Sequence, residues 1–89
     1  MELEWDEAKR LDALRERGLD FADAALIDFG KARTIVDNRH NYGEPRWVTY
    51  GVIGNRLHVL CWTLRKGRMR IISFRKANDR EQKIYSAST

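Results

Sequence analysis

Cysteine and proline occur once each in this 89-residue chain, histidine only twice, and no apolar run is long enough to span a membrane. Cys61 has no partner for an internal disulfide, and its apolar neighbours mark it as a small core residue. With one cysteine, no histidine pair at helical spacing and no acidic cluster in the second half, no metal-site motif can be assembled. Glycine-rich phosphate loops of the Walker or Rossmann type are missing, as is a Ser-His-Asp set with its serine on a sharp turn. The expectation is therefore no metal and no cofactor. The opening MELEWDEAKR is charged from its second residue, unlike a signal peptide, so a soluble, cytoplasmic protein without a membrane partner is expected. Repeats and low-complexity runs are also absent. A hydrophobic share of 43% is enough for one core, which predicts a single domain over residues 1–89.

What the chain does have is charge, sharply divided. Residues 1–30 carry four basic and nine acidic side chains, a formal −5, whereas residues 31–89 carry thirteen basic and four acidic, a formal +9. The stretch from Arg65 to Lys76, RKGRMRIISFRK, holds six basic residues and no acid. Such separation on one small domain points to a polyanionic partner, above all nucleic acid.

The acidic half reads as helical. Alternating ELEW predicts a short first strand. Asp6 can cap a helix over 7–17 with Ala8, Leu11 and Leu14 on one side, and Gly18 suits its left-handed end. Asp20 can cap a second helix with Ala22, Ala25, Leu26 and Phe29 on one face. The basic half reads as sheet: RTIV at 33–36, then RWVTYGVI, RLHVLCWTLR and RMRIISFR, with Gly54-Asn55 and Lys66-Gly67 as tight hairpin turns. If both loops hold two residues throughout, Val48, Tyr50, Val52, Leu57, Val59, Cys61, Ile72 and Phe74 share an apolar face for the two acidic helices. Arg46, Arg65, Arg68 and Arg70 sit at its ends. His58 then lies across from Arg75 on the opposite, mixed face, which also carries Trp62 and Ser73. Asn78 and Glu81 have the spacing of a capping box for a last helix, with Ile84 and Tyr85 docking it. The expected order is β-α-α-β-β-β-β-α, an α+β domain with an antiparallel sheet.

A basic sheet with interleaved aromatics is suited to holding RNA, or to cleaving it without a metal. Attack of a ribose 2′-OH on the adjacent phosphate builds negative charge on the phosphoryl oxygens. Permanently protonated, forked guanidinium groups can stabilise that charge. A base and an acid complete the reaction. Arg65, Arg70 and Arg75 are the candidates for the phosphate, and His58 or Glu81 for proton transfer. Arg46, Trp62, Arg68, Ser73, Lys76 and Tyr85 are candidate RNA contacts. Charge alone stops at a non-catalytic basic module that binds nucleic acid or an acidic protein.

The segments WDEAKRLDALRERGLDFADA and RIISFRKANDREQKIY resemble the BrnT toxins of bacterial type II toxin–antitoxin pairs. The likeness runs from Trp5 to Tyr85, and rests on Trp5-Asp6 with Lys9, Gly18-Leu19-Asp20-Phe21, and Arg70-Ile71-Ile72-Ser73 with Arg75, Ala77, Glu81 and Tyr85. It implies a RelE-like fold and a small ribonuclease that arrests growth. It further implies a BrnA-type antitoxin that binds DNA, sequesters the toxin and lets the complex repress its operon. The family's recurrent polar residues fall at Arg65, Arg70, Ser73, Arg75, Glu81 and Tyr85. Trp62 stands where members often have histidine, so His58 is a stand-in or the arginines act alone. A degenerate toxin retained only for operon repression is the remaining alternative.

Overall fold

The computed structural model describes residues 2–88. In chain order they form β1 (Leu3–Trp5), α1 (Glu7–Arg17), a 3₁₀ helix (Phe21–Leu26), β2 (Arg33–Val36), β3 (Trp47–Ile53), β4 (Arg56–Arg65), β5 (Arg68–Lys76) and α2 (Asp79–Ser88). The class is mixed α+β, built on one five-stranded sheet in the order β1-β5-β4-β3-β2.

Local chemistry sets these boundaries. The Asp6 carboxylate accepts the Lys9 N–H at 3.2 Å, and α1 ends where the Gly18 N–H donates to Leu14 O in a left-handed conformation. At the β4–β5 turn Lys66 and Gly67 both take positive φ, 52° and 77°. That pairing is what a two-residue type I′ hairpin demands, because its twist matches the strands it joins. Arg65 accordingly pairs with Arg68 and, at the other turn, Ile53 with Arg56.

Four expectations fail for physical reasons. First, the sheet is not wholly antiparallel: β1 runs parallel to β5, with Leu3 opposite Met69 and Trp5 opposite Ile71. Second, the segment after Asp20 is a 3₁₀ helix, so the exact order expected for a RelE-like domain does not hold. Its buried residues Phe21 and Ala24, followed by Ile27, recur every third position, the repeat of a 3₁₀ helix, while the expected α-helical set of Ala22, Ala25, Leu26 and Phe29 is exposed. Third, α1 buries Ala13, whereas Ala8, Leu11 and Leu14 lie exposed. Polar ties fix it, with Arg10 to Asp20 at 3.2 Å and Arg17 donating to Phe74 O at 3.4 Å.

The fourth correction decides the site. Between Cys61 and Trp62 the β4–β5 register shifts by one residue: Trp62 pairs with Ile71 but Cys61 pairs with Ser73, leaving Ile72 as a bulge. Every β5 residue beyond it changes face relative to an uninterrupted hairpin. Phe74 turns in under the helices, and Ser73 and Arg75 turn out. The N-terminal helical layer consequently covers the face bearing Leu60, Met69, Ile71 and Phe74. The face bearing Val48, Leu57, Val59 and Cys61 receives Ala77 and Tyr85 from the C-terminal segment, so helices lie on both sides of the sheet.

At Gly51 the helical layer comes close to the sheet, since a Cβ there would collide with Ile27 Cγ2, a branch fixed close to its own backbone. Gly51→Ala should therefore lower unfolding free energy by about 1–3 kcal/mol, the usual cost of overpacking. Urea denaturation followed by tryptophan fluorescence measures this.

Candidate functional site

The sheet face opposite α1 keeps an uncovered region, and the register gathers arginines there. Alternation places Arg65 at the end of β4 and Arg68, Arg70 and Arg75 along β5 on this side, with Arg46 just before β3. Sharing a face does not make them converge. Arg68 and Arg75 are seven residues apart on one strand, roughly 20 Å at about 3.3 Å per residue. The arginines therefore form a track of guanidinium groups along this face.

Each of these arginines leans on a carboxylate. Glu44 meets Arg46 at 3.3 Å and Arg65 at 3.4 Å. Glu4, pointing to this face from β1, meets Arg70 at 2.8 Å, and Arg68 lies 3.1 Å from Glu2. Arg46 also stacks over the Tyr42 ring, 4.0 Å from its centroid. Such pairs at half-exposed positions contribute little to stability, but they hold long side chains in fixed directions.

At the far end of the track the geometry tightens into a cleft of about 310 Å³, lined by Asp37, Arg39, Tyr50, Cys61, Ser73, Arg75 and Glu81, among others. Arg75 grips Glu81 through two parallel hydrogen bonds, Nη1 to Oε1 and Nη2 to Oε2, both 2.8 Å. Glu81 is doubly used. Its Oε1 also accepts the Asn78 N–H at 2.9 Å, while Asn78 Oδ1 accepts the Glu81 N–H at 2.8 Å, a reciprocal capping box that starts α2. The Arg75 guanidinium, the backbone donor of Asn78 and the charge attraction hold the Glu81 carboxyl down at about 2, against the resistance of partial burial.

Opposite this pair stands Asp37, its side chain 1% exposed. It accepts Arg39 Nε at 2.8 Å and Nη2 at 2.9 Å, the Arg39 backbone N–H at 3.3 Å and the Tyr42 hydroxyl at 3.2 Å. Arg39 above all holds the Asp37 carboxyl far below the usual carboxylate range. The Asp37 N–H continues the β2–β3 ladder to Arg46 O at 2.8 Å. One buried carboxylate thus ties the 38–46 connection to the sheet and fixes one wall of the cleft. Cys61 Sγ lies 4.0 Å from Asp37 Oδ2, and burial pushes its thiol upward, away from the reactive thiolate.

Of the residues singled out in the sequence, Ser73, Arg75 and Glu81 meet at this cleft, and Arg46, Arg65, Arg68 and Arg70 lie along the track. Tyr85 borders the adjoining groove and donates its hydroxyl to Lys31 O at 3.0 Å. One expectation is corrected. His58 is not opposite Arg75: the bulge pairs it with Lys76, on the helix-covered side. There it is buried, stacks on Phe74 with ring centroids 5.4 Å apart and shares a hydrogen bond with Arg56 O; burial lowers its pKa. Lys76 goes with it, at the exposed end of β5. Trp62 is half-buried: its ring packs on Trp47, 4.8 Å between centroids, and its Nε1 donates to Thr49 Oγ1 at 2.8 Å. Asp37, Arg39 and Tyr50 went unforeseen; no motif marks them, and only the strand register carries them to the cleft.

The Glu81 shift has a measurable consequence. A carboxyl whose pKa is depressed on folding stabilises the native state above its unfolded value and loses that stabilisation as pH falls through its folded value. Stability should therefore decline between about pH 4.5 and about pH 2 in the wild type, and less so in Glu81→Gln. Urea midpoints across that range, with the Glu81 carboxyl resonance followed by NMR, provide the check.

The family model described as "Ribonuclease toxin, BrnT, of type II toxin-antitoxin system" matches residues 5–81 of the chain. No curated protein matches it. Among the described residues, no helix is long and apolar enough to cross a membrane.

Proposed function

From the premise that the chain belongs to the BrnT family of ribonuclease toxins of type II toxin–antitoxin systems, we propose that it is a metal-independent endoribonuclease. It arrests growth by cleaving RNA laid along the arginine track, in the cytoplasm, until a BrnA-type, DNA-binding antitoxin sequesters it and represses the operon with it. The observation that carries this reading is the bidentate Arg75–Glu81 pair set beside Ser73 in an open cleft at the end of that track.

In the proposed reaction a phosphate takes the place of Glu81 on the Arg75 fork. The guanidinium then faces the two non-bridging oxygens and stabilises the charge that accumulates as the 2′-oxygen attacks phosphorus. The exchange also changes Glu81. Its low pKa comes first from Arg75, so a carboxylate released from that grip regains basicity and can accept the 2′-hydroxyl proton. The P–O5′ bond breaks, a water protonates the 5′-oxygen, the hydroxide left takes the proton held by Glu81, and a 2′,3′-cyclic phosphate remains. Arg46, Arg65, Arg68 and Arg70 hold the flanking phosphates, and Tyr50 offers a face to a base.

The decisive assay is incubation of the purified protein with RNA in excess EDTA. Cleavage leaving 2′,3′-cyclic ends is the expected result. Retention of intact RNA in a mobility-shift assay would favour the non-catalytic module, and the absence of both, with operon DNA still bound in the antitoxin complex, the degenerate toxin.

A further inference from the structure

The strand β2 ends the sheet, and all four of its residues are exposed. Its pairing with β3 fixes which backbone groups face outward. The Asp37 N–H points to Arg46 O, and residues opposite one another alternate between hydrogen-bonded and open pairs. The N–H and C=O groups of Thr34 and Val36 are therefore turned away from β3, toward the open edge. Ile35 and Val36 are 55% and 63% exposed, an unusual load of apolar surface for an edge strand. Of the devices that blunt natural edges, β2 has its short length and Arg33, but no proline and no bulge.

Beside this edge runs an apolar groove between β2 and α2, lined by Arg33, Ile35, Tyr50, Glu81, Ile84 and Tyr85. Of the two residues expected to dock α2, Tyr85 packs on the sheet while Ile84 is 60% exposed along the groove. Cations flank it: Arg33 lines the groove, and exposed Lys31 adjoins it through its carbonyl, which accepts the Tyr85 hydroxyl. Ile35, Tyr50 and Glu81 border both this groove and the Arg75 cleft, so the two are continuous.

We propose that the β2 edge and the β2–α2 groove are the docking surface for an extended segment of the antitoxin. That segment adds as a sixth strand, with apolar residues at alternate positions set against Ile35 and Ile84 and acidic residues between or flanking them. Backbone pairing to Thr34 and Val36 supplies affinity, and the alternating side chains supply specificity. Charge complementarity selects an acidic strand over a second copy of this basic edge. A strand seated here crowds the Ile35–Glu81 boundary of the cleft, so inhibition follows from occlusion. The inference rests on the toxin reading for the identity of the partner, but the surface can be tested without any cleavage assay.

The antitoxin is taken as the product of the adjoining reading frame that suppresses growth arrest, and complex formation is measured by calorimetry with the full chain. Val36→Pro removes the outward N–H without touching a β3 pairing bond, and Ile84→Asp places a like charge in the groove. Each should weaken the complex at least tenfold, while Leu26→Asp, on the opposite helical layer, should not. Amide exchange at Thr34 and Val36 should slow in the complex. Unchanged affinity for both variants, an equal loss in Leu26→Asp, or a free protein whose edge pairs with its own copy and turns monomeric on Val36→Pro would overturn the assignment. RNA cleavage by the free variants is scored separately: its absence in every protein, wild type included, counts against the ribonuclease and leaves the docking result standing.

Discussion

Arg75→Gln should slow RNA cleavage by about two to three orders of magnitude while leaving the circular dichroism spectrum and RNA retention nearly intact. Removing one preorganised donor to a developing oxyanion costs about 10²–10³ in rate at comparable sites. The loss belongs to kcat, because the track of Arg46, Arg65, Arg68 and Arg70 still binds the flanking phosphates. Arg75→Lys should recover little of it, since an ammonium cannot reproduce the parallel two-bond fork that Arg75 presents to Glu81. Glu81→Gln should lower the rate less, by roughly the 10²-fold at the lower end of general-base catalysis. Single-turnover kinetics on a defined oligoribonucleotide separate these effects. An Arg75→Gln protein that cleaves at the wild-type rate would remove the cleft from the reaction.

The second large effect lies in the core. Phe74 is fully buried, packed among Leu60 and Ile71 from the sheet and Phe21 and Ala24 from the 3₁₀ helix, with the His58 ring stacked on it. Phe74→Ala should cost about 3–5 kcal/mol, from lost burial and the cavity left behind. A small domain has a total of about 5–15 kcal/mol, so this one change takes much of the margin. Chemical denaturation should place the midpoint far below the wild type. By contrast Ile84→Ala, at an exposed position, should shift it hardly at all, although an anchoring role for Ile84 would require otherwise.

How far the sequence could be read follows from how local each signal is. Lys66-Gly67, Gly54-Asn55, the Asn78–Glu81 box and the Asp6 and Gly18 caps depend on residues within a few positions, and each appears where the sequence places it. The parallel pairing of β1 with β5 joins residues more than sixty apart, and nothing in ELEW announces it. The 3₁₀ segment was legible in principle: Phe21, Ala24 and Ile27 repeat every three residues, but the alanines also satisfy a helical spacing of 3.6. The bulge had one trace, the consecutive Ile71-Ile72, which breaks the alternation of β5. Missing it put Arg75 and His58 on the same face. Correcting it joins Arg75 to Glu81 and Asp37 across a cleft that no linear motif describes.

The carboxylate beside each guanidinium changes what salt can do to this protein. A bare cation recruited to RNA sets free a counterion from the polyanion, and binding then weakens steeply with ionic strength. Here Glu2, Glu4, Asp37 and Glu81 each sit against one arginine and Glu44 against two, so association is largely a swap of one anion for another. A plot of log affinity against log salt should run shallower than the tally of arginines suggests, and substituting Glu4 by Gln should steepen it.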